Sequence, residues 1–395
     1  MDYAREFVYA SNPLRLTVKQ WLAVGLLLAT VLLGVPFVAA RLEPFSPGQD
    51  YRLPYDFSQD YWHSARWFRT AAQRGSVVLL GDSVVWGEYV GAGQALSGQL
   101  NRLAGTERFA NLGVNGLHPA ALLGLLRDHG EAIRDGDVIL VLNTLWMSSA
   151  RHDLREAPAA GEEAQASFNH PALVPQFWPR VPRYRAGFEE RVGVVVERRL
   201  AFLEWVTHLN AKSAYANALG AAADAAAAAA VDAGAGTEPE PRIDNPAPKP
   251  YRGLFIAVPP PAPGPHGQPV TWEARGIPVS TLAWPAPSES LQWRFFGEAV
   301  TLLQARGNRV CVLVAPFNPY LQDPESRARY ERMVAGMVTE LSARRGVTVI
   351  EPPPLPTTEY ADASHPLAAG YARLARELAA DARFRPWFGA VAKAR

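Results

Sequence analysis

The stretch that decides the fold reads Val77-Val78-Leu79-Leu80-Gly81-Asp82-Ser83. Its first four residues are aliphatic, which is typical of a short buried strand, and the Gly-Asp-Ser that follows predicts a turn into a helix. Ligands of open parallel sheets bind beyond the carboxyl ends of the strands. We therefore interpret Ser83 as a candidate nucleophile. A helix cap at Ser83 is the alternative that these residues alone leave open.

The same strand-then-helix pattern recurs on both sides of a long interruption. Strands are predicted over 76–80, 108–112, 137–142, 309–315 and 347–350, and helices over 95–103, 120–133, 291–306, 325–345 and 367–383. Strands that alternate with helices of this length indicate a parallel sheet covered on both faces. The predicted fold class is therefore α/β, a flavodoxin-like three-layer sandwich with a five-stranded parallel sheet.

Residues 151–288 interrupt the alternation, so the globular domain is expected in two parts, 76–150 and 289–395. Within this insertion, an amphipathic helix is expected over 189–209. The middle of the insertion is rich in alanine and proline, with an alanine-rich run over 220–236 and proline-rich runs over 237–250 and 259–269. Alanine favours helix, but the flanking proline and glycine predict a poorly ordered middle.

The segment Trp21 to Ala40 has 20 residues and no charge, which suits the ~30 Å hydrocarbon core of a bilayer. We predict a transmembrane helix over 21–40, a cytoplasmic leader over 1–20 and a linker over 41–75. A cleaved signal peptide is the alternative. Basic residues slightly favour a cytoplasmic N-terminus, since Arg5, Arg15 and Lys19 precede the span and only Arg41 and Arg52 follow it closely.

A second polar motif, Asp362-Ala363-Ser364-His365-Pro366, precedes the last predicted helix. An aspartate three residues before a histidine can fold its carboxylate onto the imidazole Nδ1–H. Serine is a poor nucleophile without an adjacent base. If His365 met Ser83 across the sheet edge, Asp362 would orient the imidazole as in a Ser-His-Asp triad. A surface capping motif is the alternative.

Composition excludes several classes of function. The chain has 39 basic and 38 acidic residues, a balance that does not support nucleic-acid binding. Cys311 is the single cysteine, lies in an apolar run and is expected to be a buried hydrophobe. The sequence indicates no cofactor and no metal site, because the histidines lack partners at metal-ligand spacing. Trp146 and the segment 317–319 follow strands on the side of Ser83, and we expect them to pack in their loops, with a pocket lining as the alternative.

The two motifs together resemble the SGNH (GDSL-like) hydrolase superfamily. Over residues 76–150 and 289–385, the resemblance implies Ser83 as nucleophile, with Asp362 and His365 completing the triad. It also implies an oxyanion hole built from the N–H of Ser83, the N–H of Gly113 and the side chain of Asn143. The block around Asn143 departs from the usual Gly-x-Asn-Asp, since the chain reads Val141-Leu142-Asn143-Thr144.

The resemblance implies an extracytoplasmic serine esterase, anchored in the membrane, that acts on O-acyl bonds of a small molecule or a glycan. Single-pass SGNH-like proteins are similar to the partners of membrane-bound O-acyltransferases. An O-acyltransferase that modifies cell-envelope polysaccharide with such a partner is therefore the first alternative. A non-catalytic envelope scaffold or glycan-binding module is the second. The catalytic domain is expected in the periplasm or outside the cell.

Overall fold

A sheet of five parallel strands forms the centre of the molecule. A computed structural model describes residues 16–43, 45, 47–48, 51–159, 169–232 and 264–389. The strand order is β2-β1-β3-β4-β5, with the bounds β1 (Val77–Gly81), β2 (Phe109–Gly113), β3 (Asp137–Leu142), β4 (Arg309–Val314) and β5 (Val347–Ile350). The predicted α/β fold with five parallel strands is confirmed, and no strand end differs from its prediction by more than one residue.

Helices cover both faces of this sheet. Their bounds are α1 (Val18–Leu42), α2 (Tyr61–Gln73), α3 (Ser83–Trp86), α4 (Leu96–Ala104), α5 (Pro119–Asp128), α6 (Phe188–Arg199), α7 (Ala201–Asp232), α8 (Leu291–Ala305), α9 (Pro324–Ser342), α10 (Ala368–Ala380) and α11 (Arg385–Gly389). One face packs against α2, α5, α8 and α9, and the other packs against α3, α4, α10 and α11. These are the three layers that the sequence predicted.

The strands are apolar at nearly every position because both of their faces are buried. Alternate residues point into the two layers, so Leu80 and Val312 join one core while Leu79 and Leu313 join the other. Cys311 lies in the second core, where it is a free thiol with 0% exposure, as the sequence predicted. Burial raises the pKa of this thiol to about 12, so it is a structural residue.

The segment 41–75, interpreted from the sequence as a linker that packs onto the domain or the membrane interface, contributes residues to the core of the domain. Its helix α2 begins at the N-cap Asp60 and buries Trp67 and Phe68 in the core. The indole Nε1 of Trp67 donates to the Asn111 carbonyl in β2 at 2.8 Å. Aromatic residues in this stretch therefore pack against the sheet.

The insertion contains two helices, α6 and α7, where one helix was expected over 189–209. The break is at Leu200, which leaves the helical conformation with φ −113° and ψ 98°. The alanine-rich run continues α7 as far as Asp232. The proline-rich run 237–250 lies outside the described residues, as do residues 259–263 of the second run.

The earlier part of the insertion belongs to the core. Leu173 and Val174 are buried beside α5 in the same cluster as the strands. Gly124 in α5 has no side chain for a reason of space, since a Cβ there would lie 1.8 Å from the Leu173 carbonyl oxygen. The domain is therefore completed by residues that interrupt the strand-helix alternation.

Helix α1 is long and apolar enough to cross a membrane, and its side chains are mostly exposed. Helix α1 qualifies as a membrane span by its length and composition, two properties that a signal sequence near the N-terminus shares. The helix begins with a capping box, in which Thr17 and Gln20 exchange hydrogen bonds. It is longer at both ends than the predicted span 21–40.

A buried cluster of charges joins the end of α1 to the domain. Glu43, the residue after α1, contacts Arg66 of α2 and both His208 and Lys212 of α7. The other ring nitrogen of His208 lies 2.6 Å from an Asp60 carboxylate oxygen. Carboxylates only accept hydrogen bonds, so the protonated form of His208, which can donate from both nitrogens, suits this position, and its pKa, which burial lowers, is raised by Asp60 and Glu43. We call these five residues the junction cluster.

Candidate active site

The site begins at the carboxyl end of β1, where the chain turns directly from strand to helix. Ser83 is the first residue of α3, and Asp82 caps this helix by accepting the Val84 N–H at 3.0 Å. The cap interpretation of the Gly-Asp-Ser motif thus applies to the aspartate. Ser83 is 8% exposed and its hydroxyl is directed toward the final polar loop of the domain.

The structure brings Ser83, His365 and Asp362 into one hydrogen-bonded line. The Ser83 Oγ lies 2.8 Å from His365 Nε2, although 282 residues separate them. The Nδ1 atom of His365 lies 2.8 Å from each carboxylate oxygen of Asp362. A carboxylate only accepts, so Nδ1 carries the hydrogen and Nε2 is left to accept from the serine hydroxyl.

The Asp-x-x-His loop is held rigidly by backbone contacts. Asp362 Oδ1 accepts the N–H groups of Ser364 and His365 at 2.9 and 3.0 Å, which folds the loop around the carboxylate. Asn318, fully buried after β4, donates from its N–H to Ala363 and from its side chain to the Asp362 carbonyl. These backbone contacts hold the Asp362 carboxylate in place independently of its hydrogen bond to the imidazole.

The pKa values of Asp362 and His365 are shifted in opposite directions. Burial raises the pKa of Asp362, but the charge and hydrogen bonds of His365 outweigh burial and lower it to about 2. Burial lowers the pKa of His365, and the charge and hydrogen bond of Asp362 outweigh it, so the net pKa is raised above 6.5. An ionised Asp362 beside a more basic imidazole is the arrangement that a general base needs.

The three predicted anion donors differ in the hydrogen bonds that they already make. Ser83 begins α3, so its N–H has no acceptor inside the helix. Asn143 follows β3, and its amide nitrogen donates to Asp82 at 2.7 Å and to the Ser364 hydroxyl at 3.3 Å. The second of these bonds is long and is the one that a bound anion would replace.

Gly113 is close to the site, but its N–H already donates to the Asn111 side chain at 3.0 Å. A Cβ on Gly113 would lie 2.3 Å from the Trp86 nitrogen, so the glycine lets β2 approach α3 closely. This packing explains the glycine without any catalytic role. A contribution of Gly113 to an oxyanion hole stays a prediction, and it requires the N–H to leave Asn111.

Asp82 is a buried carboxylate whose environment the sequence did not indicate. Its Oδ2 accepts hydrogen bonds from Asn143 and from the Trp146 indole, each at 2.7 Å. Burial raises its pKa, while the charge of His365 and these donors lower it, and the net shift is upward. Trp146 therefore does more than pack in its loop, because it helps hold the carboxylate that orients Asn143.

Tyr89 was also missed. Its hydroxyl donates to Asp362 Oδ2 at 3.1 Å and its ring lies edge-on to His365 at 5.4 Å. The returning end of the insertion holds this ring, since Arg275 lies 4.7 Å over it and Gly267 packs against it. No motif links residue 89 to residue 362, so only the folded chain reveals the contact.

Two histidines for which the sequence indicated no metal-binding partner, His118 and His170, make structural contacts. His118 caps α5 through Nδ1, and His170 lies between Tyr61 and the Asn115 carbonyl. Among the residues that the structure describes, no group of three or more histidine, cysteine or acidic side chains is arranged to hold a metal ion.

No protein-family model matches this chain. No curated protein matches it either. The site is a serine hydroxyl hydrogen-bonded to an imidazole that a carboxylate orients.

Proposed function

We propose that this chain is a membrane-anchored serine esterase of the SGNH type that cleaves O-acyl esters, such as O-acetyl esters, outside the cytoplasm. The observation that carries the proposal is the continuous line from the Ser83 hydroxyl through His365 to Asp362, with both distances at 2.8 Å. In this proposal, α1 anchors the chain and the N-terminus is cytoplasmic.

The reaction follows from the hydrogen-bond directions. Ser83 Oγ attacks the ester carbonyl carbon while its proton passes to His365 Nε2. The developing oxyanion is stabilised by the Ser83 N–H and the Asn143 amide, with Gly113 as a predicted third donor. The tetrahedral intermediate then releases the alcohol, which takes the proton from His365. An acyl group is left on Ser83.

The second half repeats these steps with a different acceptor. Water that loses a proton to His365 attacks the acyl-enzyme, releases the carboxylic acid and restores the Ser83 hydroxyl. A sugar hydroxyl in the place of water would make the chain an O-acyltransferase. The observation that favours this second candidate is α1, because a tethered domain would stay beside a membrane-bound acyl donor such as an O-acyltransferase partner.

Labelling with a fluorophosphonate tests the nucleophile. We expect the purified full-length chain to be labelled and Ser83→Ala to be silent, with Ser97→Ala, a buried serine in α4, as the matched control that keeps its label. Labelling that survives in Ser83→Ala would remove Ser83 from this role. A folded chain that is never labelled would favour a scaffold or glycan-binding module. Acetyl release and acetyl transfer to an oligosaccharide, measured side by side, separate the two enzymes.

A further inference from the structure

Helix α6 exposes an apolar stripe on its outer side. Phe188, Val192, Val195 and Val196 recur at helical spacing on one face, and all four are exposed, with Phe188 at 74%. A helix on a soluble surface turns such a stripe toward the core. Here no residue of α6 is buried, so the stripe faces away from the protein.

Two arginines of α6, Arg191 and Arg198, point toward the protein, whereas Glu189, Glu190 and Arg199 are exposed. Arg191 donates to the backbone carbonyls of Gln176, Tyr184 and Ala186. Arg198 donates to the Val174 carbonyl at 2.7 Å and to Asp128 at 3.2 Å. These contacts fix the rotation of the helix, so the outward direction of its apolar stripe is built into the fold.

Two further aromatic residues extend the stripe. Phe177 lies 6.0 Å from Phe188 between ring centroids, and both rings are at least half exposed. Trp178, the next residue, is 87% exposed. Contiguous exposed apolar surface of this kind marks an interaction site, and tryptophan favours the boundary between water and lipid. We call the stripe with Phe177 and Trp178 the α6 face.

The position of α6 near the end of α1 indicates which environment contacts the α6 face. Twenty residues at ~1.5 Å each span the hydrocarbon core, so a core that begins at Trp21 ends near Ala40. Ala40 lines one cavity of about 490 Å³ together with Ala201 and Glu204 at the start of α7. Because α6 ends at Arg199, two residues before Ala201, its last turn lies close to the cavity that Ala40 lines near the end of α1.

We propose that the α6 face lies in the surface of the lipid bilayer and forms a second membrane contact beside α1. This proposal rests on α1 being the membrane anchor of the proposed function. Helices with an aromatic and aliphatic face bind the interface with that face in the acyl boundary and their basic side chains near the headgroups. Arg199, exposed at the end of α6, can reach those headgroups from the edge of the stripe.

The second contact would fix the orientation of the domain. One helix leaves a domain free to tilt relative to the bilayer, whereas a second contact with the bilayer restricts that tilt. Helix α7 links the two elements, because it packs against both α1 and α6. A second copy of the chain or a membrane protein could cover the same surface, and a bilayer that holds a single chain distinguishes these occupants.

The test uses the full chain in nanodiscs of phosphatidylcholine and phosphatidylglycerol at 3:1, loaded at one chain per disc. Val196→Cys carries an environment-sensitive fluorophore, and Ala380→Cys, exposed at the end of α10 in the opposite layer, is the matched control. The natural Cys311 is buried, so the parent chain should take up no label. Doxyl groups on the lipid acyl chains quench the label wherever it reaches the bilayer.

We expect quenching by doxyl lipid to remove more than half of the emission at position 196 and to leave position 380 unchanged. Equal emission at both positions, with the chain incorporated in the disc, would overturn the proposal. Quenching at 196 that needs a second chain or a second membrane protein in the disc would overturn it as well. Failure of α1 to insert appears separately as a chain that does not co-elute with discs, and it would refute both the anchor and this contact.

Discussion

At the scale of single residues, the proposed function makes the ionisation of His365 the switch between an active and an inactive site. Asp362 raises the pKa of the imidazole above 6.5, and only the neutral form can accept the serine proton. We predict that kcat/KM for a soluble aryl acetate falls as the pH drops through this raised pKa and is constant above it. A pH titration of initial rates measures this limb.

Asp362→Asn is the variant that tests the cause of the shift. Removing the carboxylate charge should move the limb to lower pH, and loss of the correct tautomer should slow the reaction by about 10⁴. If the limb in Asp362→Asn stays at the wild-type pH, then another group titrates in this range.

Tyr89 is expected to act as a positioning residue through its hydrogen bond to Asp362. Tyr89→Phe keeps the ring against His365 but removes the 3.1 Å bond to the carboxylate. Hydrogen bonds to charged groups contribute about 1.5–3 kcal/mol when buried, so we expect a loss of about tenfold in kcat/KM and a displaced pH limb. Tyr55→Phe is the control, because Tyr55 stacks on His266 and has no bond to the triad. Unchanged rates in Tyr89→Phe would make Tyr89 a packing residue only.

Residues in contiguous motifs could be selected from the sequence, and residues that act through distant contacts could not. Ser83 and the pair Asp362 and His365 each stand in a short polar motif at the end of an apolar run. Trp146 and Tyr89 are aromatic residues in loops, where simple packing is the ordinary role. Their hydrogen bonds to Asp82 and Asp362 depend on how β1, β3 and the final loop are arranged, which local spacing does not encode.

At the scale of elements, the junction cluster should give α1 and α7 a fixed connection. Removing one partner from a buried ion network costs about 3–5 kcal/mol, because the remaining charges lose their compensation. We predict that His208→Gln lowers the free energy of unfolding by about 3 kcal/mol, measured by chemical denaturation in detergent. Asn210→Ala, at an exposed position in the same helix, should have little effect.

The same cluster predicts how stability depends on pH. Glu43 and Asp60 have lowered pKa values, with Glu43 at about 2, so their contribution is present above about pH 4 and is lost on acidification. His208 has a raised pKa, so its contribution is complete below about 6.5 and is lost as the pH rises through that raised value. The alkaline loss should vanish in His208→Gln, and its persistence there would assign it to another group.

The strands were predictable because they are short apolar runs buried on both faces. Most helices were predictable because their apolar residues recur at helical spacing. The break at Leu200 was not, since apolar and charged residues continue on both sides of it without proline or glycine. The outward direction of the apolar stripe of α6 was not predictable either, because helical spacing predicts a helix without indicating which side of it is buried. Helix α2 was missed for a related reason, as its aromatic residues equally suit a membrane interface.

At the scale of the whole molecule, the insertion and the sheet layers should fold as one unit. Gly124→Ala directs a methyl group into the Leu173 backbone and should lower the free energy of unfolding by about 1–3 kcal/mol. Gly193→Ala is the matched control, because a Cβ at that helical position meets nothing within 4 Å and should stabilise the protein by up to about 1 kcal/mol. Similar melting temperatures for the two variants would mean that the insertion folds apart from α5.

The separation of Ser83 from His365 along the chain has a consequence for biosynthesis. At about 5–20 residues per second, the 282 residues that follow Ser83 up to and including His365 take roughly 15–60 s to make. Throughout this interval the serine is already synthesised but has no base beside it. In the proposed enzyme, a nascent chain would therefore not attack esters until the segment that carries His365 had been made and had folded against β1.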